Sequence, residues 1–339
     1  MVTVGSIYFE GNFVRYNYKR YKGLGGNEQV LELVEISKRF KQNDAVKNMN
    51  MFIEQGEIIG LLGPNGAGKS TTISILSSLI EPTSGDVRLF NKSILKSPRD
   101  MRQILGIVPQ DIALYNDLTA QENLKFFGKL YKLSGKKLRK QMDEVLDIVG
   151  LTDKKDEVVK TFSGGMKRRL NIGVGLMNNP DLLVMDEPTV GIDPQSRTYI
   201  LETVKRLNQE KGMTIIYTSH YMEEVEFLCD RIYIMDKGNL IASGTKDEIK
   251  QIISAESTVE IEIERAHEPF VKRLQNDPTV RQVLEEDNYI KLLVPKEVNL
   301  FPVIAKIAEE TGADLVSVTN QTPTLEDVFL HLTGRALRD

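Results

Sequence analysis

The chain has 339 residues, 41% hydrophobic and 27% charged, with a formal net charge of −4, one cysteine and three histidines. That length exceeds one ordinary domain of about 100–200 residues, and the composition excludes a fibrous or wholly disordered chain. A lone cysteine excludes an internal disulfide or a cysteine-based metal cluster and points to a reducing, cytoplasmic setting, while the slight acidity argues against sequence-independent nucleic-acid binding.

Charge divides the chain into three blocks: +3 over residues 1–27, zero over 28–254 and −7 over 255–339. The first block interleaves Tyr8, Phe9, Phe13, Tyr16, Tyr18 and Tyr21 with Arg15, Lys19, Arg20 and Lys22, and ends in Gly23-Leu24-Gly25-Gly26. It reads as a flexible N-terminal extension with a linker; a small hairpin around Glu10-Gly11-Asn12 or a basic, aromatic membrane-surface tail are the alternatives. No apolar run approaches the roughly 18 residues that cross a bilayer, and residues 1–30 lack the apolar stretch of a signal peptide. The chain is therefore expected neither to span a membrane nor to enter a secretory route by itself.

The middle block alternates short Leu-rich or β-branched runs with helical patterns, the signature of an α/β core. A strand at Ile58–Leu62 leads into a glycine-rich loop, and from Lys69 onward Ile73, Leu76 and Ile80 fall at helical spacing until Glu81-Pro82. Thr83-Ser84-Gly85-Asp86 then turns the chain into a strand at Val87–Phe90. Residues 119–178 read as helices, with caps near Thr119 and Ser163 and breaks at Ser134-Gly135 and Gly150, so a mostly helical insertion interrupts the core. Strand runs return at Leu182–Met185, Thr214–Thr218 and Arg231–Met235.

The third block reads as strand (Val259–Glu264), helix (Pro269–Asn276), a strand pair across Asp287-Asn288, helix (Val298–Glu310), strand (Asp314–Thr319) and a last helix. That order suits a small ferredoxin-like α+β unit. Thr324 and Asp327 make a capping-box pattern for the last helix, whose Leu325, Val328, Phe329 and Leu332 share one face that needs a partner surface.

Gly63-Pro64-Asn65-Gly66-Ala67-Gly68-Lys69-Ser70 fits the phosphate-loop pattern between a strand and a helix. Its glycines let successive backbone N–H groups curl around a phosphate, Lys69 can reach the β- and γ-phosphates, and the Ser70 hydroxyl can ligate Mg²⁺. The strand Leu182–Met185 ends in Asp186 and Glu187, which strand alternation points apart: Asp186 toward a metal shell, Glu187 toward an attacking water. Ser163-Gly164-Gly165 opens a helix with a hydroxyl and free N–H groups, a second potential phosphate site. It lies far along the chain from Lys69, which suggests that the second chain of a dimer completes the nucleotide site. The basic runs Lys136, Lys137, Arg139, Lys140 and Lys167, Arg168, Arg169 read as solvated helix faces, and Cys229 as a small structural apolar residue.

With these residues in view, residues 28–254 resemble the nucleotide-binding domain of an ATP-binding cassette (ABC) transporter. The resemblance rests on a Walker A at 63–71 ending in Thr71, Gln110 in Val108-Pro109-Gln110-Asp111, and the signature Phe162-Ser163-Gly164-Gly165-Met166. A Walker B at 182–187, a D-loop at Gly191-Ile192-Asp193-Pro194 and a switch histidine, His220, follow in family order. It covers about two thirds of the chain and departs from the commonest signature by Phe162 and Met166. It implies a P-loop NTPase fold, a RecA-like core with a helical subdomain at about 112–178, carrying an accessory or regulatory α+β domain at 255–339.

For the site, the resemblance implies ATP and Mg²⁺ as cofactors, with adenine stacking on Phe40 and the Mg²⁺ held by Ser70, Gln110 and Asp186. Glu187 would polarise the attacking water, and His220 would hold the γ-phosphate or that water. Asp193 would connect two sites across a homodimer or a pair with a related subunit, where Ser163, Gly164 and Gly165 bind the partner's ATP. Thr322 to Arg335 further resembles the ending of ATPase subunits from drug-export and sodium-export ABC-2 type systems. An exporter motor peripheral to the cytoplasmic side of the membrane is then expected, driving a separate transmembrane permease whose coupling segment is received by the helical region and the loop Asp111–Glu122. The alternative is an ABC ATPase acting on the ribosome or DNA; those usually carry two cassettes or a long coiled-coil insertion, and this chain has one Walker A and neither.

Overall fold

The computed structural model describes residues 29–252, 256–264, 268–286, 289–295, 299–321 and 324–333. The 1–27 block and the Asp287-Asn288 turn lie outside them. β1 (Gln29–Phe40) and β2 (Asn43–Glu54) form an antiparallel hairpin whose first turn residue, Lys41, takes positive φ (52°). β3 (Ile58–Leu62) is buried along its whole length, as a central strand covered on both faces must be. α1 (Lys69–Leu76) stops before Ile80, where helical spacing alone would carry it. Ser78 enters the left-handed region (φ 55°), and the N–H groups of Ser78 and Leu79 bond back to Ile75 and Ser74, a Schellman ending.

β4 (Ser84–Leu89) and β5 (Lys92–Ser93) complete an antiparallel sheet of order β2-β1-β4-β5, and α2 (Pro98–Ile104) leads into β6 (Leu105–Val108). The helical insertion holds α3 (Ala120–Leu130), α4 (Gly135–Ile148) and α5 (Gly164–Leu176). Thr119 and Glu122 form a reciprocal capping box on α3, and the Ser163 hydroxyl accepts the Met166 N–H at the start of α5. β7 (Leu182–Met185), α6 (Pro194–Lys211), β8 (Thr214–Tyr217), α7 (Met222–Leu228), β9 (Arg231–Asp236), β10 (Asn239–Thr245) and α8 (Lys246–Gln251) follow. The second sheet runs β10-β9-β3-β8-β7-β6, parallel except for its β10 edge. Cys229 is fully buried against Gly60 in this core, the structural role expected of it, and burial pushes its thiol well above the ordinary value.

The remaining elements are β11 (Glu256–Ile263), α9 (Glu268–Gln275), β12 (Gln282–Glu286), β13 (Tyr289–Pro295), α10 (Phe301–Thr311), β14 (Leu315–Gln321) and α11 (Leu325–Thr333). Their antiparallel order β12-β13-β11-β14 is the ferredoxin-like arrangement, and α9 and α10 cover its apolar face through Phe270, Leu274 and Ile304. The last helix does not join that core. Leu325, Val328 and Phe329 pack into the same apolar cluster as Met222, Val225 and Leu228 of α7 and Ile249 of α8. The face that lacked a partner in the sequence therefore seats on α7 and α8, the helices before β9 and after β10.

Phe329 has no exposed surface. Phe329→Ala is expected to cost about 3–5 kcal/mol, the usual range for an emptied aromatic core position, in chemical denaturation of the full chain. A loss below about 1 kcal/mol, the range of surface changes, would show that α11 only rests on the surface.

Candidate functional site

The loop between β3 and α1 opens a cleft of about 540 Å³ lined by Asn65, Lys69, Ser70 and Thr71, with Gln110, Glu187 and Phe40 closing its sides. Gly68 cannot be exchanged without strain: its φ is 110°, and a Cβ there would strike the carbonyl oxygen of Ala45. Lys69 is almost wholly buried, and its ammonium donates to the carbonyls of Gly63 (2.6 Å) and Pro64 (3.3 Å). Burial pushes its pKa below the ordinary lysine value, opposed by the charges of Glu187 and Asp186. Phe40 stands half exposed at the rim with Lys38 5.2 Å from its ring centre.

Asp186 and Glu187 follow the end of β7 and meet different partners. Glu187 is buried with a left-handed backbone (φ 47°), a strained conformation for a residue with a side chain. One carboxylate oxygen accepts from Gln110 Nε2 at 2.9 Å and the other lies 2.5 Å from His220 Nε2. Thr218, at the end of β8, sets both carboxylates at once: its hydroxyl donates to Asp186 Oδ1 (2.8 Å) and accepts the Glu187 N–H (2.9 Å). Burial raises the Asp186 carboxyl above its ordinary value, and the Thr218 hydrogen bond opposes that rise.

Gln110, Glu187 and His220 thus meet beside Lys69 and Ser70. Ser163, Gly164, Gly165 and Asp193 do not line this cleft. They form a second group: Asp193 caps α6 by accepting the Ser196 N–H (2.8 Å), which lowers its carboxyl pKa, and Gly165 packs so closely that a Cβ would strike the Ser196 hydroxyl. Ser163 and Gly164 are exposed.

Three polar positions escaped the sequence reading. Thr218 ends the expected strand and opens the motif Thr218-Ser219-His220, but neither pattern assigns its hydroxyl a role. Arg168, expected with Lys167 and Arg169 on a solvated face, is buried instead. Its guanidinium donates to the Pro109 carbonyl (3.1 Å), and Asn171 bonds both that carbonyl and the Ala113 N–H. Arg168 lies on the same buried face of α5 as Asn171, three residues on, whereas Lys167 and Arg169 are partly exposed, so the run does not share one solvated face. Glu224, buried in α7, is the third.

Among known proteins, the ABC transporter family matches residues 46–190. The linearmycin resistance ATP-binding protein LnrL of Bacillus subtilis is 47% identical over 312 residues, covering 91% of this chain and 100% of the relative. The Nod factor export ATP-binding protein I of Paraburkholderia xenovorans is 36% identical, covering 92% and 99%. Among solved structures, a dimeric ATP-binding cassette in a post-hydrolysis state with ADP and Pi superposes with a TM-score of 0.58 at 29% identity, over 63% of this chain and 98% of that one.

Thr218→Val keeps the volume of the side chain while removing its hydroxyl. It is expected to cost about 1–3 kcal/mol of stability by leaving the buried Glu187 N–H unpaired. ATP turnover should fall at least tenfold; unchanged turnover in a steady-state phosphate-release assay would show that Thr218 does not set the carboxylates.

Proposed function

The chain belongs to the ABC transporter family as an ATP-binding subunit, and from that premise we propose a division of labour among its residues in an export motor. It is an ATPase that couples hydrolysis to transport. Backbone N–H groups of the loop between Asn65 and Thr71 and the Lys69 ammonium bind the phosphates of ATP, and Phe40 stacks on the adenine. Mg²⁺ fits the donors present: the Ser70 hydroxyl and Gln110 amide at the cleft and Asp186, whose Oδ1 is held by Thr218 while Oδ2 faces no such bond. When bound, the ion neutralises phosphate charge.

One observation carries the catalytic assignment: the Glu187 carboxylate is held between Gln110 and His220 at the wall of the phosphate-loop cleft. Glu187 accepts a proton from the water that attacks the γ-phosphorus, and His220 fixes the γ-phosphate or that water. Because the second group, Ser163 to Gly165 with Asp193, lies off the cleft, it serves the nucleotide of a second copy in a head-to-tail dimer, as a homodimer or with a related subunit.

Among the described residues no helix is long and apolar enough to cross a membrane. The relatives, named as ATP-binding proteins of export and resistance, support a motor that acts on a separate transmembrane permease, peripheral to the cytoplasmic face. The exposed Tyr115 and Phe126, with ring centres 4.9 Å apart beside exposed Ile112 and Leu130, offer the apolar seat for it. Residues 28–254 form the motor and 255–339 an accessory unit. Action on the ribosome or DNA is the weaker reading, since the relatives are named for export and resistance.

Glu187→Gln is expected to retain ATP binding while hydrolysis falls by about 10²–10⁴, the span of lost general-base catalysis, and a dimer should accumulate with ATP in size-exclusion chromatography. Normal turnover would remove Glu187 from the base role. Phe126→Glu should leave basal ATP hydrolysis within about twofold, as a surface change away from the cleft does, yet abolish co-purification with the permease. Retained co-purification would place the seat elsewhere.

A further inference from the structure

His220 meets Glu187 through Nε2, but its other ring nitrogen, Nδ1, is buried with no hydrogen-bond partner. A working histidine is ordinarily aimed by a bond to that second nitrogen. Here the aim must come from the residues on either side of it, and both are held by one carboxylate network. Ser219 donates through Oγ to Glu224 Oε2 (2.6 Å), and the same oxygen of Ser219 accepts the Tyr221 N–H (2.9 Å).

Glu224 lies in the first turn of α7 with no exposed surface, and it collects four donors from three segments. Besides Ser219, its Oε2 accepts from Thr189 Oγ1 (2.8 Å), two residues beyond Glu187, and from the Tyr217 hydroxyl (2.8 Å), which directly precedes Thr218. Its Oε1 accepts from Arg197 Nε (2.6 Å) in the first turn of α6, the helix that Asp193 caps. The Arg197 guanidinium also lies 4.2 Å from the Tyr221 ring centre. A buried carboxylate gains little stability over an apolar side chain of similar size even when well paired, so packing alone does not call for a charge here.

We propose that Glu224 is a positioning residue for hydrolysis: it aims His220 at Glu187 and ties that aim to the helix opened by Asp193. A displacement of Asp193 at the dimer contact is then transmitted through Arg197 and Glu224 to the histidine. The proposal rests on the reading of Glu187 and His220 as the catalytic pair.

The test compares Glu224→Gln, His220→Ala and the double variant in the full chain, by steady-state ATP hydrolysis and by equilibrium binding of a fluorescent ATP analogue. Glu224→Gln is expected to lower kcat ~10- to 100-fold, part of the range for a lost acid–base group, with KM and nucleotide affinity within about twofold. Added to His220→Ala, it should change kcat by less than about twofold, because two residues acting as one unit are non-additive. Equal losses in both backgrounds, or an unchanged kcat in the single variant, overturn the proposal. Where Glu224→Gln does not fold, Ser219→Ala, which cuts only the link to the loop, is read in the same way. Normal turnover in His220→Ala sinks the catalytic reading and this proposal together, whereas an impaired His220→Ala with a fully active Glu224→Gln sinks this proposal alone.

Discussion

Parallel pairing of β6, β7, β8 and β3 brings their carboxyl ends to one edge of a single sheet, and the candidate site hangs from that edge. Gly63 to Lys69 leave β3, Asp186 and Glu187 leave β7, Thr218 to His220 leave β8, and Gln110 follows β6. Residues as far apart in the chain as Lys69 and Glu187 line one cleft for this reason, with His220 against Glu187. The strands are buried along nearly their whole length, so their register is held by the core and the loops inherit its rigidity.

Against that rigid edge the site concentrates features that cost stability. Glu187 has a left-handed backbone, a cost of about 1–3 kcal/mol, and Lys69, Arg168 and Glu224 are charged groups removed from water. Local partners offset much of this: Thr218 takes the Glu187 N–H, loop carbonyls take the Lys69 ammonium, the Pro109 carbonyl takes one Arg168 nitrogen while its Nε stays without a partner, and four donors surround Glu224. Arg168 and Asn171 also fasten the helix that starts at the signature to the segment after β6, so the helical insertion and the Gln110 loop share a mechanical connection.

The legible parts of the sequence were those whose pattern is local. Ile58–Leu62, the capped starts at Thr119 and Ser163, and the strand–helix order after residue 255 all follow from periodicity and capping chemistry over a few residues. β1 and β2 were not legible because β-bulges shift their register between Val34 and Ser37, with Glu35 in the left-handed region, and that breaks the alternation a strand shows. Arg168 was misread because exposure on a helix depends on its neighbours. The partner of α11 could not be found by pattern either, since an amphipathic face states that it will be covered without stating by what.

By itself the sequence determined the chemistry available: a phosphate loop whose glycines and lysine admit little else, a carboxylate pair at a strand end, and a Ser-Gly-Gly helix start. These are properties of short segments, and short segments carry their own backbone preferences. Only the tertiary structure decided which groups meet. It joined Gln110 and His220 to Glu187, kept Ser163 to Gly165 off that cleft, and buried Glu224 among donors from three segments, because contacts between distant segments are set by sheet order and core packing.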